Sequence, residues 1–519
     1  MKKCFLFGLI LVLFIQCTAV IKHNKRLSTL VPASALQSDV DFTYNKLKKL
    51  HPNLYLYISK EKLDYKFDSL KTSITAPMLP LDFYKKLSPV VAAVRQGHSY
   101  IYPPSKLLTK KESKALEKKG TGPFSQFDFE FIDNKIYVVK NKSYDQTIKV
   151  GSELVSVNDI KPLDLIHEYG NYYSSDGFNT TFKNQSYTQR FTRFFTIENG
   201  IKDSLNYVFK HSDSIHNVII KRYKKDSITQ KNSKSTTKAV TIDHQERKEL
   251  RRKKRINGYD KEEKNYTRNL CFLEKDSSTA LIKIRGFKNG PYKRFYKESF
   301  QKIKDKNTKN VILDLRDNGG GRLSEVNYLY SYLADSTFSF LDKSEVVSKS
   351  SLFNGAYFNG GSLPLKILKA LYAPAVYAFL CLTVRKDKNG MNYFATRTKP
   401  QEIKKNAFNG KLYVIINGGS FSASSIISSN IKGSHRATFV GEETGGAFNG
   451  TVAGFMPNIE IPKSNLKIRI GLMHIVPHYK TQTIGHGIYP DKEITPTIQD
   501  FITNSDPELK WILNDIKEQ

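Results

Sequence analysis

Cysteine is scarce in this sequence, acidic residues are outnumbered, and no apolar run is long enough for a comfortable membrane span. If a leader is removed ahead of Cys17, only Cys271 and Cys381 remain besides it. Cysteines so far apart do not make a disulfide framework, and no Cys/His spacing suggests zinc. Asp and Glu number 49 against 82 Lys and Arg, a formal net charge of +33. The basic excess is dense from Lys221 to Arg268 and includes Arg251-Arg252-Lys253-Lys254-Arg255. Such a run suits a polyanion or an anionic bilayer, or is simply a solvated, partly helical insertion.

What is present begins with a targeting pattern. Met1-Lys2-Lys3 and the apolar stretch Cys4 to Ile15 read as a secretory signal over 1–16, with a retained N-terminal anchor as the alternative. Leu13-Phe14-Ile15-Gln16-Cys17 fits a bacterial lipoprotein cleavage site with Cys17 lipidated, although Gln16 stands where a small residue is usual. Export to the cell envelope makes nucleic acid an unexpected partner.

The remaining length suggests several domains. Residues 25–118 read as an N-terminal helical region. The first helix ends at His51-Pro52, since Pro52 disfavours helical geometry before it. A later helix runs toward Gly97-His98-Ser99, with Gly97 as its expected C-cap. Residues 119–170 read as short strands, and 171–275 as a variable basic connection. An α/β pattern fills 276–500, interrupted by an insertion over 345–400. Within that insertion Ala370 to Val384 is an apolar run broken by Pro374, too short to span a membrane; a lid, a membrane-dipping segment and core are the readings it allows, with core as the default expectation.

Two stretches of the α/β part share one layout. Val311 to Leu315 is an apolar strand entering Arg316-Asp317-Asn318-Gly319-Gly320-Gly321. Leu412 to Ile416 is another, entering Asn417-Gly418-Gly419-Ser420-Phe421-Ser422-Ala423-Ser424-Ser425. A strand, a Gly turn and then Ser at a helix start can present a nucleophile beside free backbone N–H groups. Two such turns at one sheet edge would form a site. By residue type alone, Ser420, Ser422 and Ser424 are all candidates, and the bases include His98, His474, His478 and His486. The last three read as structural or exposed.

Together with Arg436-Ala437-Thr438-Phe439-Val440-Gly441-Glu442-Glu443-Thr444-Gly445-Gly446 and Gly485-His486-Gly487-Ile488-Tyr489-Pro490-Asp491, these stretches resemble the C-terminal-processing, or tail-specific, serine peptidases. Gly97-His98-Ser99 resembles the G-H-[ST] motif of the tricorn-core branch, and Val150 to Ile160 resembles a PDZ strand and turn. The resemblance implies an α/β fold with a crotonase-like catalytic core, an N-terminal helical region and a PDZ-like β module over 119–170. It implies Ser422 as nucleophile, His98 as general base, and the Gly320 and Ala423 N–H groups as the oxyanion hole. Ala447 stands about where the Ser-Lys branch has its lysine, so a dyad of that kind is not expected. No counterpart of the branch's orienting Glu is found near Gly485. The implied substrate is an extended or unfolded protein segment bound by strand addition, and the implied reaction needs no metal or organic cofactor. An inactive peptide- or ligand-binding homologue of the same fold is the alternative.

Overall fold

The computed structural model describes residues 19–224, 243–261, 263–355, 363–395 and 399–518. The expected signal segment, Cys17 and part of the basic run lie outside the described residues. At the centre stands a six-stranded sheet. Its order is Lys492–Glu493, Thr438–Gly441, Lys411–Ile416, Asn310–Asp314, Thr279–Ile284 and Arg268–Phe272. All neighbours are parallel except the last pair. Parallel strands covered on both faces need continuous apolar sequence, and Val311, Ile312, Leu313 and Leu412 to Ile416 are all buried. Because Asn310–Asp314 and Lys411–Ile416 are adjacent and parallel, their two Gly turns leave the sheet side by side at its C-terminal edge.

The Asp314-Leu315-Arg316 stretch serves this architecture. Arg316 reaches Asp314 at 2.9 Å, Asp506 at 2.8 Å and Glu508 at 3.2 Å, clamping the C-terminal helix Pro507–Lys517 to the sheet. Burial pushes the Asp314 carboxyl up, but Arg316 and Lys283 outweigh it and hold it below its usual range. Arg316→Met would strand Asp314 and Glu508 without their main counter-charge. Urea unfolding should show a loss of about 3–5 kcal/mol. A loss below about 1 kcal/mol would contradict this role.

The N-terminal region supplies helices Ala33–Leu50, Lys60–Thr72, Pro80–Ala92 and Lys110–Lys119. Strand Tyr100–Tyr102 then pairs antiparallel with Lys467–Arg469, tying this region to the far end of the chain. Gly97 is not the C-cap expected of it. The helix has already ended at Ala92, and the left-handed residue is Arg95, with φ of 56°. Gly97 is needed for close approach, since a Cβ there would lie 2.6 Å from the Phe421 ring.

Strands Phe127–Ile132, Lys135–Asn141 and Glu153–Val157 form a five-stranded antiparallel sheet with Ser204–His211 and Ser214–Lys221. The sheet thus takes two strands from residues expected to be connecting chain. The basic helix His244–Asn257 is exposed apart from Ile256. The 345–400 segment is also more integrated than expected. Its strands Val384–Lys386 and Asn392–Phe394 join Ser344–Glu345, Met473–Ile475 and Thr451–Ala453 in a second five-stranded sheet. The apolar run enters the core only toward its C-terminal end, through Leu380 and Val384. It forms most of helix Leu363–Thr383, which packs inward through Val376, Tyr377 and Leu380 and leaves much of its length in solvent. Among the described residues no helix is long and apolar enough to cross a membrane.

Candidate active site

Ser422 stands at the N-cap of helix Ala423–Gly433 with φ of 59° and ψ of −122°. A non-glycine residue in that region costs on the order of 1–3 kcal/mol and persists only where its surroundings impose it. Here the surroundings do. The Ser420 hydroxyl donates to the Leu315 carbonyl at 2.7 Å, and the Phe421 N–H donates to the Asn318 carbonyl at 3.0 Å. Asn417 and Asp317 interlock the two Gly turns through reciprocal 2.9 Å bonds. Ser420 and Ser424 are fully buried, so of the three serines Ser422 is the one opening onto a cavity.

The second Gly turn lies directly against this elbow. Gly320 has φ of 87°, and a Cβ there would come within 2.7 Å of the Ala423 nitrogen and 2.8 Å of the Ser422 Cβ. The Gly320 N–H donates to Asn318 Oδ1 at 3.0 Å, and Asn318 is itself held by the Ile284 carbonyl. Gly320→Ala would both strain the turn and push the elbow away. We expect a loss of about 1–3 kcal/mol with loss of any reactivity at Ser422, read by thermal melting and active-site labelling. An alanine variant with wild-type reactivity would show that the close approach does not matter.

His98 reaches the same neighbourhood through Phe421. Its ring centroid is 5.0 Å from that of Phe421, the chain neighbour of Ser422, and Phe182 stacks on Phe421 at 4.5 Å. His98 as a residue is half-buried, and its Nε2 is sealed and has no partner. Burial, and secondarily the charge of Arg469, lower its pKa to about 3. Among the described residues no hydrogen bond joins His98 to Ser422.

Asp176 was not singled out by sequence reasoning. Its loop lies in a polar stretch without periodicity, and its contacts are all distant in the chain. It is fully buried, and Oδ1 accepts the Gly97 N–H at 2.8 Å. Oδ2 has no partner within hydrogen-bond distance. Burial pushes the Asp176 carboxyl up to about 6, against the opposing pull of Thr451 and the Gly97 and Ala447 amides. The Phe178 N–H donates to the Gly485 carbonyl, and Asn179 donates to the Thr444 and Gly445 carbonyls. One loop therefore knits the His98 turn, the Gly445-Gly446 turn and the Gly485 turn together.

The other histidines have structural settings. His474 Nδ1 lies 2.8 Å from the Asn53 amide, His478 pairs with Asp342, and His486 contacts Tyr489 and Glu443. No cluster of three or more metal-ligating side chains occurs among the described residues. The cavity beside Ser422 measures about 370 Å³ and is mostly apolar, with Leu341, Phe394, Ile426, Phe455 and Met473 on its walls. A larger cleft of about 1020 Å³ shares Leu341 but includes neither Ser422 nor His98.

Residues 278–494, which contain both Gly turns and Ser422, match the model of peptidase family S41. No curated protein sequence matches the chain. Among solved structures, mature CPAF is 14% identical over 92% of this chain and 95% of its own, with a TM-score of 0.57. CPAF complexed with lactacystin is 15% identical over 93% and 98%, also at 0.57. At these identities the likeness concerns the fold, which is shared well beyond the residues matched by the family model. A strained serine elbow, paired Gly turns and this match agree: residues 278–494 are similar to peptidase family S41, which supports a serine-type peptidase.

Proposed function

We propose that the protein is an endopeptidase that cleaves extended or unfolded protein segments through an acyl-enzyme at Ser422. The observation that carries this reading is the Ser422 elbow itself, strained, at a helix N-terminus and open to an apolar cavity. The Ser422 oxygen attacks the scissile carbonyl, and His98 Nε2 takes its proton and passes it to the leaving amine. The oxyanion meets the Ala423 N–H and a Gly320 N–H shared with Asn318. One such donor is worth about 3 kcal/mol in a serine peptidase. Water activated by His98 then releases the acyl group. Burial keeps His98 neutral and able to accept a proton, and the developing oxyanion favours its protonated form. The Ser422–His98 hydrogen bond would form on substrate binding, as bonds to a catalytic base commonly do. Asp176 acts as a positioning residue by holding the Gly97 turn.

In this reading the α/β unit is a crotonase-like core and the 127–221 sheet a PDZ-like module that binds substrate by strand addition. The N-terminal pattern suits export to the cell envelope, with or without lipid at Cys17. The second reading, a binding homologue without activity, is favoured by one observation, the unpartnered His98 Nε2. A fluorophosphonate separates the two. Labelling of wild type that disappears in Ser422→Ala and His98→Ala supports the peptidase. Labelling that survives Ser422→Ala moves the nucleophile elsewhere. A folded wild type that does not label despite an open cavity favours binding.

A further inference from the structure

Helix Leu363–Thr383 is inverted relative to an ordinary surface helix. Its 21 residues contain only two charges, Lys366 and Lys369. Val376, Tyr377 and Leu380 face the protein, and Tyr377 meets Phe353 at 4.9 Å. Leu368, Leu371, Phe379 and Leu382 recur at helical spacing on the outward side, where polar residues belong, and Leu365 and Tyr372, on the stripe of Val376 but nearer the helix start, are exposed as well. Leu371 is 73% exposed and Leu382 79%. Soluble monomers rarely leave so continuous an apolar face uncovered.

The surroundings indicate what covers it. The helix runs directly into Arg385, Lys386 and Lys388, all exposed, and Asp387 is the one acidic residue among them. Lys343 and Lys399 lie in the adjoining cleft. An apolar arc on the outward side, a basic flank and an exposed interfacial tyrosine are the features of a helix lying in a bilayer surface. The chain's charge of +33 adds attraction to anionic lipid. We infer that helix Leu363–Thr383 docks this protein onto an anionic membrane, lying in the interface without crossing it. Strand Val384–Lys386 pairs with Asn392–Phe394, and Phe394 walls the Ser422 cavity, so docking sets the cavity close to the lipid surface. The docking itself does not depend on the reaction at Ser422.

Cys381 is exposed on this helix and serves as a native reporter. In the full chain carrying C4S, C17S and C271S, a polarity-sensitive fluorophore is attached to Cys381. Vesicles of phosphatidylcholine with about 30% phosphatidylglycerol, a mixture chosen for its negative surface, are compared with pure phosphatidylcholine. The expected result is flotation and a blue shift with the anionic vesicles only. The variant L371E/F379E/L382E should lose the shift and float roughly tenfold less or worse, with an unchanged melting temperature. Flotation with no change at Cys381 would assign membrane attachment to the N-terminal segment and overturn the inference. So would absence of flotation. A blue shift already present without vesicles, accompanied by a dimer in sedimentation, would show that a second copy covers the face.

Discussion

Ser422→Ala is expected to lower peptide hydrolysis by about 10⁴–10⁶-fold, the range seen when the nucleophile of a serine peptidase is removed. The fold should survive, because the Ser422 hydroxyl makes no hydrogen bond among the described residues and its backbone is held by others. The elbow allows sharper controls. Ser422 holds φ at 59° with a Cβ in place. Ser422→Gly removes the steric conflict and should raise stability by about 1–3 kcal/mol while activity stays lost. Ser420→Ala should do the reverse. Its hydroxyl ties the elbow to the Leu315 carbonyl and accepts the Asn417 N–H. Losing both bonds should cost about 1–3 kcal/mol and only part of the rate. Thermal melts and hydrolysis of an unfolded protein substrate, run on all three variants, distinguish a nucleophile from a scaffold. Comparable activity in Ser422→Ala and wild type would sink the assignment.

How far the sequence could be read follows from where the information lies. The two strand-to-Gly turns were legible because a doubly covered parallel strand demands an unbroken apolar run and its turn demands glycine. Both requirements are local. The helix end at His51 was legible for the same reason, through Pro52. The 127–221 sheet was legible only over 119–170. The hairpin of Ser204–His211 and Ser214–Lys221 joins it through Glu153–Val157, about fifty residues earlier, and that pairing is not written in local pattern. Gly97 was misread because a glycine after a helix resembles a cap, whereas its constraint is the Phe421 ring more than three hundred residues later. Asp176 gave no signal, since a carboxylate becomes unusual only when folding buries it. The Ala370–Val384 run shows the converse. An apolar stretch states that water is unfavourable, not whether protein or lipid replaces it.

Acidification should destabilise this protein well before its carboxylates are fully protonated. His51 and His98 have pKa values lowered to about 3, and His474 to about 4, chiefly by burial. Both ring nitrogens of His51 are sealed without partners, and the Asn53 amide donates to His474 Nδ1, occupying the site a proton would take. An unfolded histidine titrates near 6.5, so below that pH the unfolded chain binds protons that the folded one refuses. The stability held at pH 7 is therefore lost as pH falls from 6.5 toward 4. Three such protons correspond to a slope of about 4 kcal/mol per pH unit. Asp176 opposes them. Its pKa is raised from 3.8 to about 6, so its carboxylate costs stability as pH rises through that interval and returns it on acidification. Burial likewise raises Glu130 from 4.5 to about 7, which opposes them in the same sense, so the net slope between pH 6 and 4.5 is roughly 1–2 kcal/mol per unit, a substantial part of a typical total of about 5–15 kcal/mol. Melting temperatures at pH 7.5, 6.5, 5.5 and 4.5, values chosen to bracket these transitions, should fall ever more steeply. His51→Phe should flatten the profile without touching the Ser422 region, and Asp176→Asn should steepen it while raising stability at pH 7. A flat profile between pH 7 and 5 would mean that these imidazoles are solvated, and would remove the sealed, neutral His98 on which the proposed proton transfer rests.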